Sequence, residues 1–309
     1  MNAFRGKILV IRGGAIGDFV LTLPAISALR RQFPEAHLEV LGYPHIIQLA
    51  LAGGLVNQVQ SIEARALAGF FARGGELASD LVDYFSEFDL IVSYLYDPDA
   101  IFQANMARCT FAQFIAAPYR PDERAGVHAT RVYLKPLERL AIFDADPMPR
   151  LSVGPQATTL RQVSLHPGSG SERKNWPEIR WAELVEHLLQ ETELDLLLVG
   201  GEAEGERLQR LAAALPPQRV RVAQSLPLVE LASLLQRCAA FVGHDSGISH
   251  LAAALGLPGV ILWGETREEI WRPPSERMLL VRDPGDLSKL PVAAVLNELR
   301  RLVDAPASS

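Results

Sequence analysis

The chain has 309 residues, room for two domains of about 150 residues each. Hydrophobic residues make up 49% and charged residues 21%, a globular balance that excludes a disordered or low-complexity chain. The formal net charge of -6 creates no broad basic field, so no nucleic-acid partner is expected, although a local basic patch stays open.

Met1 to Gly6 lead straight into an apolar run without a signal-peptide pattern, and no window approaches the roughly 18 to 20 apolar residues of a spanning helix. A cytoplasmic protein is expected. Short runs rich in Val, Ile and Leu recur at Lys7 to Ile11, His37 to Leu41, Leu90 to Tyr94, Val163 to His166, Leu194 to Val199, Ala240 to Gly243 and Val260 to Trp263. Their length and composition suit buried strands. Segments of helical period separate them. In one, Trp181, Leu184, Val185, Leu188 and Leu189 recur every three or four residues, the stripe of a helix lying on a sheet. Alternating strands and helices predict an α/β protein with mainly parallel sheets.

The alternation lapses between Asp144 and Gln162, where Pro147, Pro149 and Pro155 accompany Gly154, the composition of an interdomain linker. It resumes at Val163, and Leu287 to Val303 reads as one closing helix. The expected domains are 1–155 and 156–286, with the closing helix and tail over 287–309. Cys109 and Cys238 form no CxxC pair and are expected to be buried, reduced and inert.

Three loops carry candidate chemistry. After the first strand comes Gly13-Gly14-Ala15-Ile16-Gly17-Asp18, a glycine turn opening a helix, placed where open parallel sheets bind ligands. It is a poor dinucleotide fingerprint, because Arg12 stands where the first glycine belongs and Asp18 replaces the last. A nicotinamide-dependent oxidoreductase is therefore disfavoured. Asp18 has two readings, a cap on the helix N-terminus or a general base. After Val163, the segment from Ser164 to Pro177 combines glycines and serines with Arg173 and Lys174. It suits a phosphate ligand or, equally, a solvated basic loop. After Phe241-Val242 comes Gly243-His244-Asp245-Ser246-Gly247 and a helix. Asp245 or Ser246 would cap that helix, and its positive end suits a diphosphate. His250 in the same helix either packs or reaches the ligand. Glu202, after the strand Leu194 to Val199, has the place of a ribose-binding carboxylate.

The order and spacing of GAIGDFVLTLPAISALRRQFP, HPGSGSERKNWP, LVGGEAEGERL and FVGHDSGISHLAAALGLPGVILWG resemble glycosyltransferase family 9, which includes the ADP-heptose:lipopolysaccharide heptosyltransferases. The resemblance implies a GT-B fold, two Rossmann-like domains with mainly parallel sheets facing a central cleft. The acceptor would sit on the first domain and the nucleotide sugar on the second. It implies inverting transfer of heptose or a related sugar, with an ADP-linked donor, to a lipopolysaccharide-core or other cell-envelope glycolipid or polysaccharide acceptor. Asp18 would be the catalytic base and Lys174 the support for the donor diphosphate. Gly17, Ser169, Glu202, Asp245, Ser246, Gly247 and His250 would bind donor. No cofactor or essential metal is implied, and membrane contact would be peripheral, at the cytoplasmic face of the inner membrane. The alternative is a non-catalytic nucleotide-sugar binding module of the same fold. The sequence departs from the family pattern at His244, where asparagine is usual, at Glu265, and at Arg267-Glu268. It departs most over Asp89 to Asp99, where relatives carry a polar segment and a basic residue for a phosphorylated acceptor.

Overall fold

Central strands of a parallel sheet are covered on both faces and read as unbroken apolar runs, and Ile8 to Ile11 are all 0% exposed. They form β1 (Lys7–Arg12) in a computed structural model that describes residues 4–155, 158–170, 175–213, 215–283 and 286–304. The chain divides into two units, Met1–Pro149 and Arg150–Ser309.

In the first unit, β1 is joined by β2 (His37–Gly42), β3 (Gln58–Ser61), β4 (Leu90–Ser93) and β5 (Gln113–Ala116). All pairings are parallel, and the order is β3-β2-β1-β4-β5. The helices are α1 (Ile16–Gln32), α2 (Pro44–Ala52), α3 (Ser79–Ser86), α4 (Ile101–Met106) and α5 (Ala129–Leu134). The chain runs outward from β1 through β2 to β3, then crosses over to β4. The connections leaving β1 and β4 therefore diverge and open a crevice at the carboxyl ends of these strands.

The second unit repeats the plan with β6 (Gln162–His166), β7 (Asp195–Gly200), β8 (Val220–Gln224), β9 (Ala240–His244), β10 (Gly259–Leu262) and β11 (Met278–Val281). Its parallel order, β11-β10-β9-β6-β7-β8, is the dinucleotide-fold order read from the first strand outward, with the reversal between β6 and β9. The helices are α6 (Glu178–Glu191), α7 (Gly205–Ala212), α8 (Leu228–Leu235), α9 (Gly247–Ala254), α10 (Glu268–Trp271) and α11 (Val292–Asp304). The predicted α6 stripe is real: Trp181, Leu184, Val185 and Leu188 lie in the core with Val163, Leu196 and Leu198, and Leu189 packs at its margin.

Two expectations, the single closing helix and the burial of both cysteines, need correction. The closing helix is not single: Leu287–Lys289 is a short 3-10 turn and α11 starts only at Val292, because Pro291 forces Leu290 out of helical geometry (ψ 119). Part of the segment read as the linker is docked. Leu151 and Val153 are buried on the second unit, with Leu151 N–H donating to Ala254 O and Gln236 bonding both backbone groups of Val153. Cys238 is buried, its thiol pushed up to about 12 by desolvation, but Cys109 is only half-buried.

Leu184 is fully buried at the centre of the α6 stripe. Leu184→Ala should cost ~2–5 kcal/mol of stability in the second unit, read from its denaturant midpoint.

Candidate functional site

The loop after β1 is shaped by one left-handed glycine and one buried cation. Gly14 has φ +98, and a Cβ there would lie 3.0 Å from Asp18 Oδ2, so a side chain would push against the carboxylate. Asp18 is the third residue of α1 and its Oδ2 accepts from Ala15 N–H at 3.1 Å, so the capping reading holds. The same side chain stays 31% exposed and lines a cavity of about 690 Å³. Capping therefore leaves the carboxylate accessible. Gly17 lies beside it in the first turn of α1, in the first unit.

Arg12, read in the sequence only as an obstacle to a dinucleotide motif, organises this end of the sheet. It is 3% exposed and must find partners. Its Nη1 donates to Tyr119 O at 2.8 Å, beyond β5, and at 3.4 Å to Tyr94 O, beyond β4. Its Nη2 donates to Asp18 O at 3.3 Å and lies 3.6 Å from Asp18 Oδ1. The guanidinium carbon sits 4.6 Å from the centre of the Tyr133 ring. One planar cation thus ties the ends of β1, β4 and β5 to the start of α1. These partners are separated by up to 107 residues in sequence, so no local signal could have revealed them.

In the second unit the candidates gather at the ends of β6 and β9. Ser246 is the N-cap of α9, its Oγ accepting from Ser249 N–H at 3.4 Å, and it lies 3.4 Å from His166 Nδ1. Asp245 and Gly247 flank it, half-buried, and His250 is buried in the following turn. Ser169 is buried, with its Oγ donating to Asn175 Oδ1 at 2.9 Å. Glu202 is exposed beyond β7, while its neighbour Glu204 accepts from Gly201 N–H at 2.9 Å and packs on Gly168. Lys174, with Arg173, lies outside the described residues.

His244 does not face outward as a recognition residue would. It is fully buried, its ring edge-on to Trp181 at 5.4 Å. Trp176 N–H donates to its Nε2 at 2.7 Å, so Nε2 carries no proton; Nδ1 keeps the proton and donates to Gly168 O at 3.1 Å. One neutral imidazole therefore bonds both ends of the loop that leaves β6. Arg207 adds a third tie, from Nη1 to Pro167 O at 3.0 Å. Burial pushes the His244 imidazole down to about 3, with help from nearby His166, and burial alone pushes His166 down to about 4. Of the other divergent positions, Arg267 pairs with Glu269, and Glu268 opens α10 and pairs with Arg272; the loop around Glu265 is tied by Trp263 Nε1–H, which donates to Thr266 O.

Among the described residues, no group of three or more His, Cys, Asp or Glu is placed to hold a metal ion, and no helix is long and apolar enough to cross a membrane.

Comparison with known proteins agrees with this anatomy. The model of glycosyltransferase family 9 (heptosyltransferase) matches residues 151–291. Lipopolysaccharide heptosyltransferase 1 of Pseudomonas aeruginosa is 28% identical over 303 residues, covering 84% of this chain and 79% of that protein. The structure of Escherichia coli ADP-heptose lipopolysaccharide heptosyltransferase II superposes with TM-score 0.78 at 20% identity, over 96% of this chain and 98% of that one. The E. coli heptosyltransferase WaaC with ADP gives TM-score 0.75 at 20% identity, over 96% and 99%. The two parallel-sheet units are those of the GT-B fold. Residues 151–291 thus match glycosyltransferase family 9, and most of the chain is similar to lipopolysaccharide heptosyltransferases.

Both buried histidines bind a proton more weakly folded than unfolded, so their contribution to stability is complete above about pH 6.5. It is lost as pH falls towards about 4 for His166 and about 3 for His244. The denaturant midpoint of the second unit should fall between pH about 7 and about 4, and His166→Asn should flatten that slope. A wild-type midpoint independent of pH would contradict neutral burial.

Proposed function

We propose that the chain transfers heptose or a related sugar, with inversion, from an ADP-linked donor to a lipopolysaccharide-core or other cell-envelope glycan acceptor. The observation that carries this reading is Asp18: an accessible carboxylate at the crevice of the first sheet, held from one side by Ala15 N–H and from the other by Arg12. A general base needs this combination of fixed geometry and access. As the acceptor oxygen attacks the anomeric carbon, Asp18 takes the hydroxyl proton. The bond from that carbon to the diphosphate oxygen breaks, and the nucleoside diphosphate leaves with the electron pair. A single displacement inverts the configuration.

On the second unit, the Ser246-capped start of α9 offers backbone N–H groups and a positive dipole end to the departing diphosphate. Asp245 and Gly247 flank that cap, His250 follows within α9, and Ser169 belongs to the loop that His244 fastens. Lys174 would neutralise charge growing on the leaving group, so the scheme calls for no essential metal, and Glu202 would accept a ribose hydroxyl. Gly17 keeps the turn beside Asp18 small. Support comes from the likeness to the P. aeruginosa heptosyltransferase and from the ADP in the E. coli WaaC structure.

Transfer from ADP-heptose to a lipopolysaccharide-core acceptor, followed by mass spectrometry, tests the proposal. Asp18→Asn should lower kcat by about 10²–10⁴ while ADP affinity, measured by calorimetry, is kept. Lys174→Ala should weaken transfer, and EDTA should leave the wild-type rate unchanged. Donor binding without turnover across a panel of acceptors would refute the transfer reading.

A further inference from the structure

The cavity at Asp18 has an aromatic wall. Tyr43, Phe71, Tyr96 and Tyr119 line it and remain 36%, 46%, 66% and 46% exposed. Large apolar side chains left together in water mark a surface that something else covers. These rings are held in place. Tyr96 stands edge-on to Tyr119 with centroids 4.6 Å apart, and Phe71 packs on buried Phe102 at 5.1 Å. Beneath them Tyr94 is buried and its hydroxyl donates to Tyr133 O at 2.7 Å.

Charge in the cavity balances. Its ionisable lining consists of Arg12 and Arg120 against Asp18 and Glu63. Arg12 is buried and committed to backbone carbonyls and Asp18, and Arg120 is paired with Glu123 at 3.1 Å. Asp97, in the loop that carries Tyr96, spends both carboxylate oxygens on the N–H groups of Phe102 and Gln103, at 3.1 and 3.0 Å. Asp99 stays exposed next to it. A phosphorylated sugar would bring about two negative charges needing charge-assisted donors, and this lining offers one paired rim cation and a nearby exposed acid. A ring of exposed aromatics instead suits a partner that is apolar on one face and hydroxylated at its edge.

We infer that the acceptor unit presented to Asp18 is an uncharged sugar ring, stacked on Tyr96 and Tyr119, rather than a phosphorylated one. The inference rests on the reading of Asp18 as the base, and it gives the loop after β4 a purpose, recognition of an apolar sugar face. Tyr96 is the residue that determines this specificity.

The test uses a lipid-free, heptose-containing core oligosaccharide as probe, before and after its phosphates are removed with hydrofluoric acid. Binding to the full chain is titrated by calorimetry for wild type, Tyr96→Ala and Tyr96→Phe, with ADP titrated in parallel. The dephosphorylated probe should bind at least about tenfold more tightly than the phosphorylated one; Tyr96→Ala should weaken it about tenfold and Tyr96→Phe less than about twofold, the scale of one aromatic contact. ADP affinity should be equal in all three proteins. Tighter binding of the phosphorylated probe, equal binding by Tyr96→Ala, or no binding of either probe overturns the inference. If ADP still binds in that case, the donor reading stands; if ADP also fails, the proposed function falls with it.

Discussion

In both units function is placed by one constraint: a parallel sheet covered on both faces can offer a ligand only its edge, and the carboxyl edge opens where successive connections diverge. In the first unit that place lies between β1 and β4, and in the second between β6 and β9. Asp18 follows β1, Tyr94 and Tyr96 follow β4, Ser169 follows β6 and Ser246 follows β9. Glycines and serines populate these loops because the backbone itself must turn sharply there and remain open to a ligand.

Each unit fixes its loops with one buried basic side chain at the end of a central strand. Arg12 ends β1 and gathers carbonyls from beyond β4 and β5, and His244 ends β9 and bonds both ends of the loop leaving β6. Desolvation makes such ties decisive. A buried polar group left unpaired is costly, so the loops must adopt the positions that pair it. The two residues differ in charge. Arg12 stays cationic against a carboxylate and an aromatic face, whereas burial holds His244 neutral in a single tautomer.

Relation to the heptosyltransferases is carried most densely by the second unit, where the family model matches residues 151–291. On the proposed reading, the loop-and-helix start of the second unit would hold the nucleotide diphosphate and the aromatic wall of the first would meet the acceptor.

What the sequence determined by itself follows burial. The seven strands legible as apolar runs are the seven interior strands of the two sheets; the four that escaped, β3, β5, β8 and β11, are the four edges. Edge strands such as QVQS and VRVAQ meet solvent and carry polar residues, so their pairing is decided by the neighbour and not by their own composition. Asp18 was visible as a candidate because capping and catalysis both ask for a carboxylate at a helix start. That one side chain does the first while staying open for the second required the cavity to be seen. Arg12, His166, His244 and the Tyr96–Tyr119 wall were decided by tertiary structure alone. Each depends on contacts between segments far apart in the chain, and a local pattern holds no record of which distant group will meet a buried charge or an exposed ring.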